Sequence, residues 1–179
     1  MPPVAMTSLK GNETIAMEKV TIAILQQAID LVLTLHDHQY THLSKIMPAG
    51  TIGKHIRHVH DHFNLLYQSC HDPSNLILDY DIRERNNPSE TDRFIAIENL
   101  HELQTNIPNV ALETKLTLLA SIDANDTNKY QFESSFGREL FYSCIHAIHH
   151  YASIKAICIE LGIPVEKDFG MAPSTLQAA

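Results

Sequence analysis

A chain of 179 residues with 44% hydrophobic side chains is sized for one domain and can bury one core. Its 21 acidic residues outnumber 13 basic ones, for a formal net charge of -8; this excludes a general polyanion binder, so neither nucleic acid nor an anionic membrane is an expected partner. Cys70, Cys144 and Cys158 are an odd number without a CxxC, and the last two fall on one expected helix, which argues against a disulfide-stapled secreted domain.

Residues 1–14 read as a flexible tail. The opening MPPVAMTSLKGNETIA lacks the basic segment and apolar run of a signal peptide. VTIAILQQAIDLVLTL, interrupted by Gln26, Gln27 and Asp30, is too short and too polar to span a bilayer. The expected location is the cytoplasm. A first helix is expected from about Thr14 or Ala16, with Val20, Ile24, Ala28, Leu31 and Leu35 at helical spacing. The polar HDHQYTHLSK follows, and MPAG breaks the chain.

A second helix should begin near Thr51, with Ile52, Ile56, Val59, Phe63 and Leu66 as its apolar stripe. It runs out before HDPSN. LILDYDIRERNNPSETD reads as an ordered connection. A third helix is expected from Ser89 or Thr91, capped by Ser89 and Asp92, with Phe94, Ile97, Leu100 and Leu103 on its buried side. Next, ALETKLTLLASIDANDTNKYQFESS alternates around a polar turn. This predicts a short β-hairpin over 113–122 and 129–133, although LTLL also fits a helix. The last long helix should start at Ser134 or Ser135 and reach about Leu161, where Gly162 and Pro164 supply a stop. Leu140, Cys144, Ile148, Tyr151 and Cys158 lie along one of its sides. The expected fold is all-α: a four-helix bundle over 15–165 with the hairpin inserted before the last long helix, and 166–179 packed back on it. Facing helices of such a bundle can hold polar ligands in one cavity.

The twelve histidines are the unusual feature. HIRHVHDHF carries His55, His58, His60 and His62. At 100° per residue the first, second and fourth share one flank of the apolar stripe, and His60 lies on the other. In HAIHHY, His146 and His150 rise from adjacent turns of one face, and His149 points away. Two such flanks can meet at a cavity. Neutral imidazoles ligate Zn²⁺, Ni²⁺ or Fe²⁺, and three of them leave a position for water, substrate or a thiolate. The same spacing suits ordinary helix surfaces. His55, His60 and His149 read as surface, capping or hydrogen-bonding residues. His62 reads as a general base or as support behind a ligand, and Asp61 as an orienting or solvated carboxylate. His38 and His42 form a rival pair near a helix end, where the dipole favours histidine.

TIGKHIRHVHDHF, DYDIRERNNPSETD, GRELFYSCIHAIHHY and FGMAPSTL together resemble the DinB/YfiT-like family of four-helix-bundle proteins, over about residues 15–176. The resemblance implies a metal triad of His58, His146 and His150. The helix angles by themselves slightly favour His55 or His62 over His58, so His62 stands as the alternate ligand. The resemblance also implies a divalent metal, zinc or nickel or else iron, a low-molecular-weight thiol, a small-molecule substrate and a homodimer. The implied activity is a metal-dependent, thiol-dependent transferase; a metal-dependent hydrolase and a non-catalytic metal-binding or stress-response interaction protein are the alternatives. Arg83 and Arg85 read as contacts for substrate or thiol carboxylates, or as ion-pair partners of Asp79, Asp81 or Glu90. Arg138 and Glu139 admit the same two readings. Tyr142 and Tyr151 suit a cavity wall or helix packing equally. The tail's DFG has no kinase context around it.

Overall fold

The computed structural model describes residues 4–72, 74–82 and 87–178, with side chains from residue 12 onward. Helix α1 runs over Val4–Thr34, ahead of the expected start at Thr14 or Ala16. No proline interrupts that stretch, and its one glycine, Gly11, costs a helix only about 1 kcal/mol. A single turn, α2 (Asp37–Tyr40), follows. Helix α3 (Ile52–Ser69) starts where the Thr51 hydroxyl accepts a hydrogen bond from the Lys54 amide. This is the usual N-cap geometry for an otherwise unpaired N–H.

The connection after α3 contains strand β1 (Ile77–Asp79) and a 3-10 turn, Pro88–Glu90. Asp92 then caps α4 (Arg93–Thr105) by accepting from the Phe94 and Ile95 amides. The expected hairpin stretches hold β2 (Lys115–Ala120) and β3 (Tyr130–Ser135). Ser135 caps α5 (Phe136–Glu160), and a short α6 (Pro173–Gln177) lies in the tail. The three strands form one mixed sheet in the order β1-β2-β3. β1 pairs parallel with β2, Leu78 opposite Leu118, and β2 pairs antiparallel with β3, Leu118 opposite Phe132.

The all-α bundle of the DinB/YfiT type is therefore corrected. Among the described residues there are six α-helices and a three-stranded mixed sheet. The pairing of β1 with β2 spans some forty residues of chain, and a three-residue strand has no periodicity of its own to reveal it.

Helix α3 packs against α5 and α4, and α1 lies along α4 and α5. Their inner faces are apolar: Leu25, Ile29, Ile56, Phe63, Leu100 and Ile154 are buried. Each such side chain contributes about 1.5–3 kcal/mol by leaving water. Two residues of the expected stripes lie outside. Val20 is exposed near the outer part of α1, and Phe94 is exposed on α4, its ring covered by the Arg93 guanidinium at 4.1 Å. A stripe read at helical spacing does not show where a helix outruns its neighbours.

The chain after α5 folds back. Phe169 is buried and stacks on Tyr151 with 4.8 Å between ring centroids. The Lys155 ammonium donates to the carbonyls of Lys167 and Phe169 at 2.6 and 3.2 Å. Gly170 sits at φ +72°, where a Cβ would lie 2.5 Å from the Ala152 amide nitrogen.

Candidate functional site

Ile56, Val59 and Phe63 of α3 point to the core, as do Cys144, Ala147 and Tyr151 of α5. The residues next to these stripes face along the seam where the two helices meet, and there they are histidines. His58 Nε2 lies 3.1 Å from His146 Nε2, and His146 Nε2 lies 3.2 Å from His150 Nε2. One nitrogen from each of the three rings falls within 4.8 Å of the others. All three residues are half-buried.

Burial pushes the His146 imidazole down to about 3, helped by His62, His58 and His149. His150 is pushed down to about 2, again by burial first and then by His58, His146, His55 and His149. Both rings are neutral at ordinary pH, with lone pairs available. The three Nε2 atoms turn toward one another, and each contact is either a ring N–H donating to a neighbouring lone pair or, with the lone pairs free, room for a shared cation. The donor set fits a divalent cation such as zinc or nickel, bound by three imidazoles with further positions open.

The other candidates take different places. His62 is buried, and its Nδ1 donates to the His58 carbonyl at 3.1 Å. Its ring lies against His146 at 4.1 Å and against Tyr80 at 4.7 Å. Its ring thus packs on a cluster histidine face to face. His55 Nδ1 is 2.8 Å from His150 Nδ1, so it touches His150 on the side away from His146. His149 is exposed. His60 sits on the opposite flank beside Asp61, at 3.5 Å. The Asp61 carboxylate accepts from Arg57 at 2.6 Å, and Arg57 also pairs with Glu90 across 3.0 Å. His38 and His42 do not share a helical face, because α2 ends at Tyr40; His42 lies 3.5 Å from Glu160 instead. Arg83 and Arg85 lie outside the described residues.

Tyr80 is the residue that sequence reasoning missed. It follows β1, stacks on His62 and donates its hydroxyl to Glu139 at 3.1 Å. Burial raises its pKa, so it stays a neutral donor. Glu139 is fully buried and also accepts from Ser134 and, at 2.7 Å, from Arg138. Tyr142 stacks on His146 with centroids 5.5 Å apart, whereas the buried Tyr151 hydroxyl donates to the Ile24 carbonyl and serves packing. The sequence around Tyr80 reads as an ordered connection, and nothing local marks the three-residue β1 or its partner. A cleft of about 780 Å³ opens at the junction of the hairpin with α5, lined by Glu113, Lys115, Phe132, Glu133, Arg138 and Glu139 among others.

No family model matches the chain, and no solved structure matches it. Among curated proteins, it is similar to "FK506-binding protein 5" of Rhizopus delemar, with 48% identity over 164 residues. The match takes in 89% of this chain and 37% of that protein, so the chain spans little more than a third of the length of the curated relative it matches. This finding overturns the resemblance to the DinB/YfiT-like family. It equally overturns the reactions drawn from that resemblance, the thiol-dependent transferase and the hydrolase. No described helix is long and apolar enough to cross a membrane.

Proposed function

We propose that the chain is a binding module of an FK506-binding-type protein, and that a divalent cation at His58, His146 and His150 is what it binds. The convergence of three Nε2 atoms, two contacts of which measure 3.1 and 3.2 Å, carries this reading. Bound there, the ion would tie α3 to α5 and stabilise the packing of the two helices, because it would bind the folded chain and not the unfolded one. The setting as part of a larger protein rests on the 48% identity to a region of "FK506-binding protein 5".

Binding is the reading that the histidine cluster supports; peptidyl-prolyl isomerisation is the second reading, since a prolyl ring is held best by concave apolar surface and the cleft beside α5 presents Leu118 and Phe132 among its charged lining residues. The free thiols of Cys70, Cys144 and Cys158 suit a reducing compartment, and the cytoplasm is the proposed location.

Elemental mass spectrometry on untagged protein, purified without chelator and then offered zinc, nickel or ferrous iron, tests the reading. Near-stoichiometric metal is expected, lost in both His58→Ala and His146→Ala. A folded protein that takes up none of the three ions would overturn it. The same preparation should leave the isomerisation rate of a proline-containing peptide at its uncatalysed value, and a clear acceleration would put isomerisation ahead.

A further inference from the structure

We infer that His55 is a positioning residue: it accepts the Nδ1 proton of His150 and so keeps the His150 Nε2 lone pair turned toward the cation. This inference rests on the metal reading above. It concerns which ring nitrogen of His150 carries the proton, a separate matter from whether the ion binds.

Both ring nitrogens of His150 are engaged. Nε2 faces His146 Nε2 at 3.2 Å, and Nδ1 faces His55 Nδ1 at 2.8 Å. A contact of that length between two neutral imidazoles holds one proton, which belongs to one ring or the other. With the proton on His150, its Nε2 is a bare lone pair and can ligate. With the proton on His55, the neutral His150 ring must carry its own proton on Nε2, which blocks the position facing His146 and His58. The third ligand is therefore available in only one of the two arrangements.

The placement of His55 suits the accepting role. It stands three residues before His58 on α3, one turn away on the same flank. Helix α3 thus supplies a ligand and also the partner of the opposing ligand on α5. Metal-bound histidines generally donate their second ring N–H to an acceptor, which fixes the tautomer and strengthens the ligand. Here the acceptor is a fourth helix-borne imidazole where a carboxylate or carbonyl is more usual. Gly50 makes room for it, since a Cβ at that position would stand 3.2 Å from His55 Nε2. The His55 Nε2 atom is buried without a hydrogen-bond partner among the described residues. In the inferred arrangement this atom carries the His55 proton, and its desolvation is the cost that the contact with His150 offsets.

Two variants and one spectrum test the inference. His55→Phe keeps a ring and removes the acceptor. His55→Asn keeps an oxygen near the position of Nδ1. Zinc affinity, read by competition with a chromophoric chelator, should fall roughly 10–100-fold in His55→Phe and recover by about tenfold in His55→Asn relative to His55→Phe. Circular dichroism checks that both variants fold. Nitrogen-15 spectra of the imidazole rings should show His150 protonated at Nδ1 and His55 at Nε2, before and after zinc is added. Wild-type zinc affinity in a folded His55→Phe protein, or a His55 ring protonated at Nδ1, would overturn the inference. Should the wild-type chain take up no zinc, the metal reading falls, and the spectrum of the metal-free protein still decides the proton's place.

Discussion

His146 Nε2 lies 3.1 Å from His58 Nε2, although 88 residues separate them in the chain. Contact between two helices brings these atoms together, so the loss of either ring should be felt by whatever the pair holds. His60, one turn's fraction from His58, faces Asp61 on the other flank. His146→Ala is expected to lower zinc affinity by roughly a hundredfold or more, above the effect of losing an outer hydrogen-bond partner. His60→Ala should leave it within about twofold. Chelator competition on the two variants checks this, and a large loss in His60→Ala would contradict the placement.

Acid should destabilise the metal-free chain through the same cluster. The ordinary imidazole value of 6.5 is lowered to about 3 in His146 and about 2 in His150 when folded, chiefly by burial. The unfolded chain then binds more protons than the folded one below pH 6.5, so acid favours unfolding. The contribution is whole above that pH and is drawn down as pH falls toward 3 and then 2. Urea titrations of metal-free protein between pH 7 and 4 should show falling stability, with a shallower slope in a His150→Ala variant. An unchanged slope in that variant would remove His150 from the account.

Gly53, at the start of α3, has no room for a side chain. A Cβ there would lie 2.1 Å from the Glu90 carbonyl oxygen and 2.7 Å from Tyr40 Cε1. The Tyr40 hydroxyl donates to the Ser89 carbonyl at 2.7 Å, so the 3-10 turn is held against α2 and α3 together. Gly53→Ala should cost about 1–3 kcal/mol through overpacking, measured as a fall in the urea midpoint. Stability equal to the wild type would mean that the turn shifts freely.

The Tyr80 hydroxyl and the buried Glu139 carboxylate join the end of β1 to the first turn of α5. Tyr80→Phe removes one hydrogen bond and keeps the ring against His62, so a loss of about 1 kcal/mol is expected with zinc affinity nearly unchanged. Glu139→Ala removes the acceptor of the Tyr80 and Ser134 hydroxyls while Arg138 keeps its access to water, and should cost about 1–3 kcal/mol. Thermal melts of the two variants should rank them in that order, and the reverse ranking would count against the carboxylate as the centre of this joint.

Much of the local structure was legible. The Thr51 and Asp92 caps stand at the helix starts, and Ser135 begins α5. The alternation around DANDTN coincides with β2 and β3. These signals are local: a hydroxyl or carboxylate meets an amide two or three residues on, and a hairpin pairs neighbours across one turn. The parallel partner of β2 was not legible, because Ile77–Asp79 is too short to show a period. The family resemblance misled for a related reason. Histidine spacing on separate helices is compatible with more than one lineage.

Helical periodicity alone groups the residues that share a flank. Side chains three and four apart rise from one side of a helix whatever the helix touches, so His55, His58 and His62 were grouped, and His146 with His150. Which of them meet depends on the packing of α3 against α5. The rotation and height of α3 against α5 place His58 Nε2 at His146, turn His62 onto Tyr80, and leave His55 behind His150. Those offsets follow from how the apolar faces of two helices interlock, and one chain's periodicity carries no measure of its neighbour's phase.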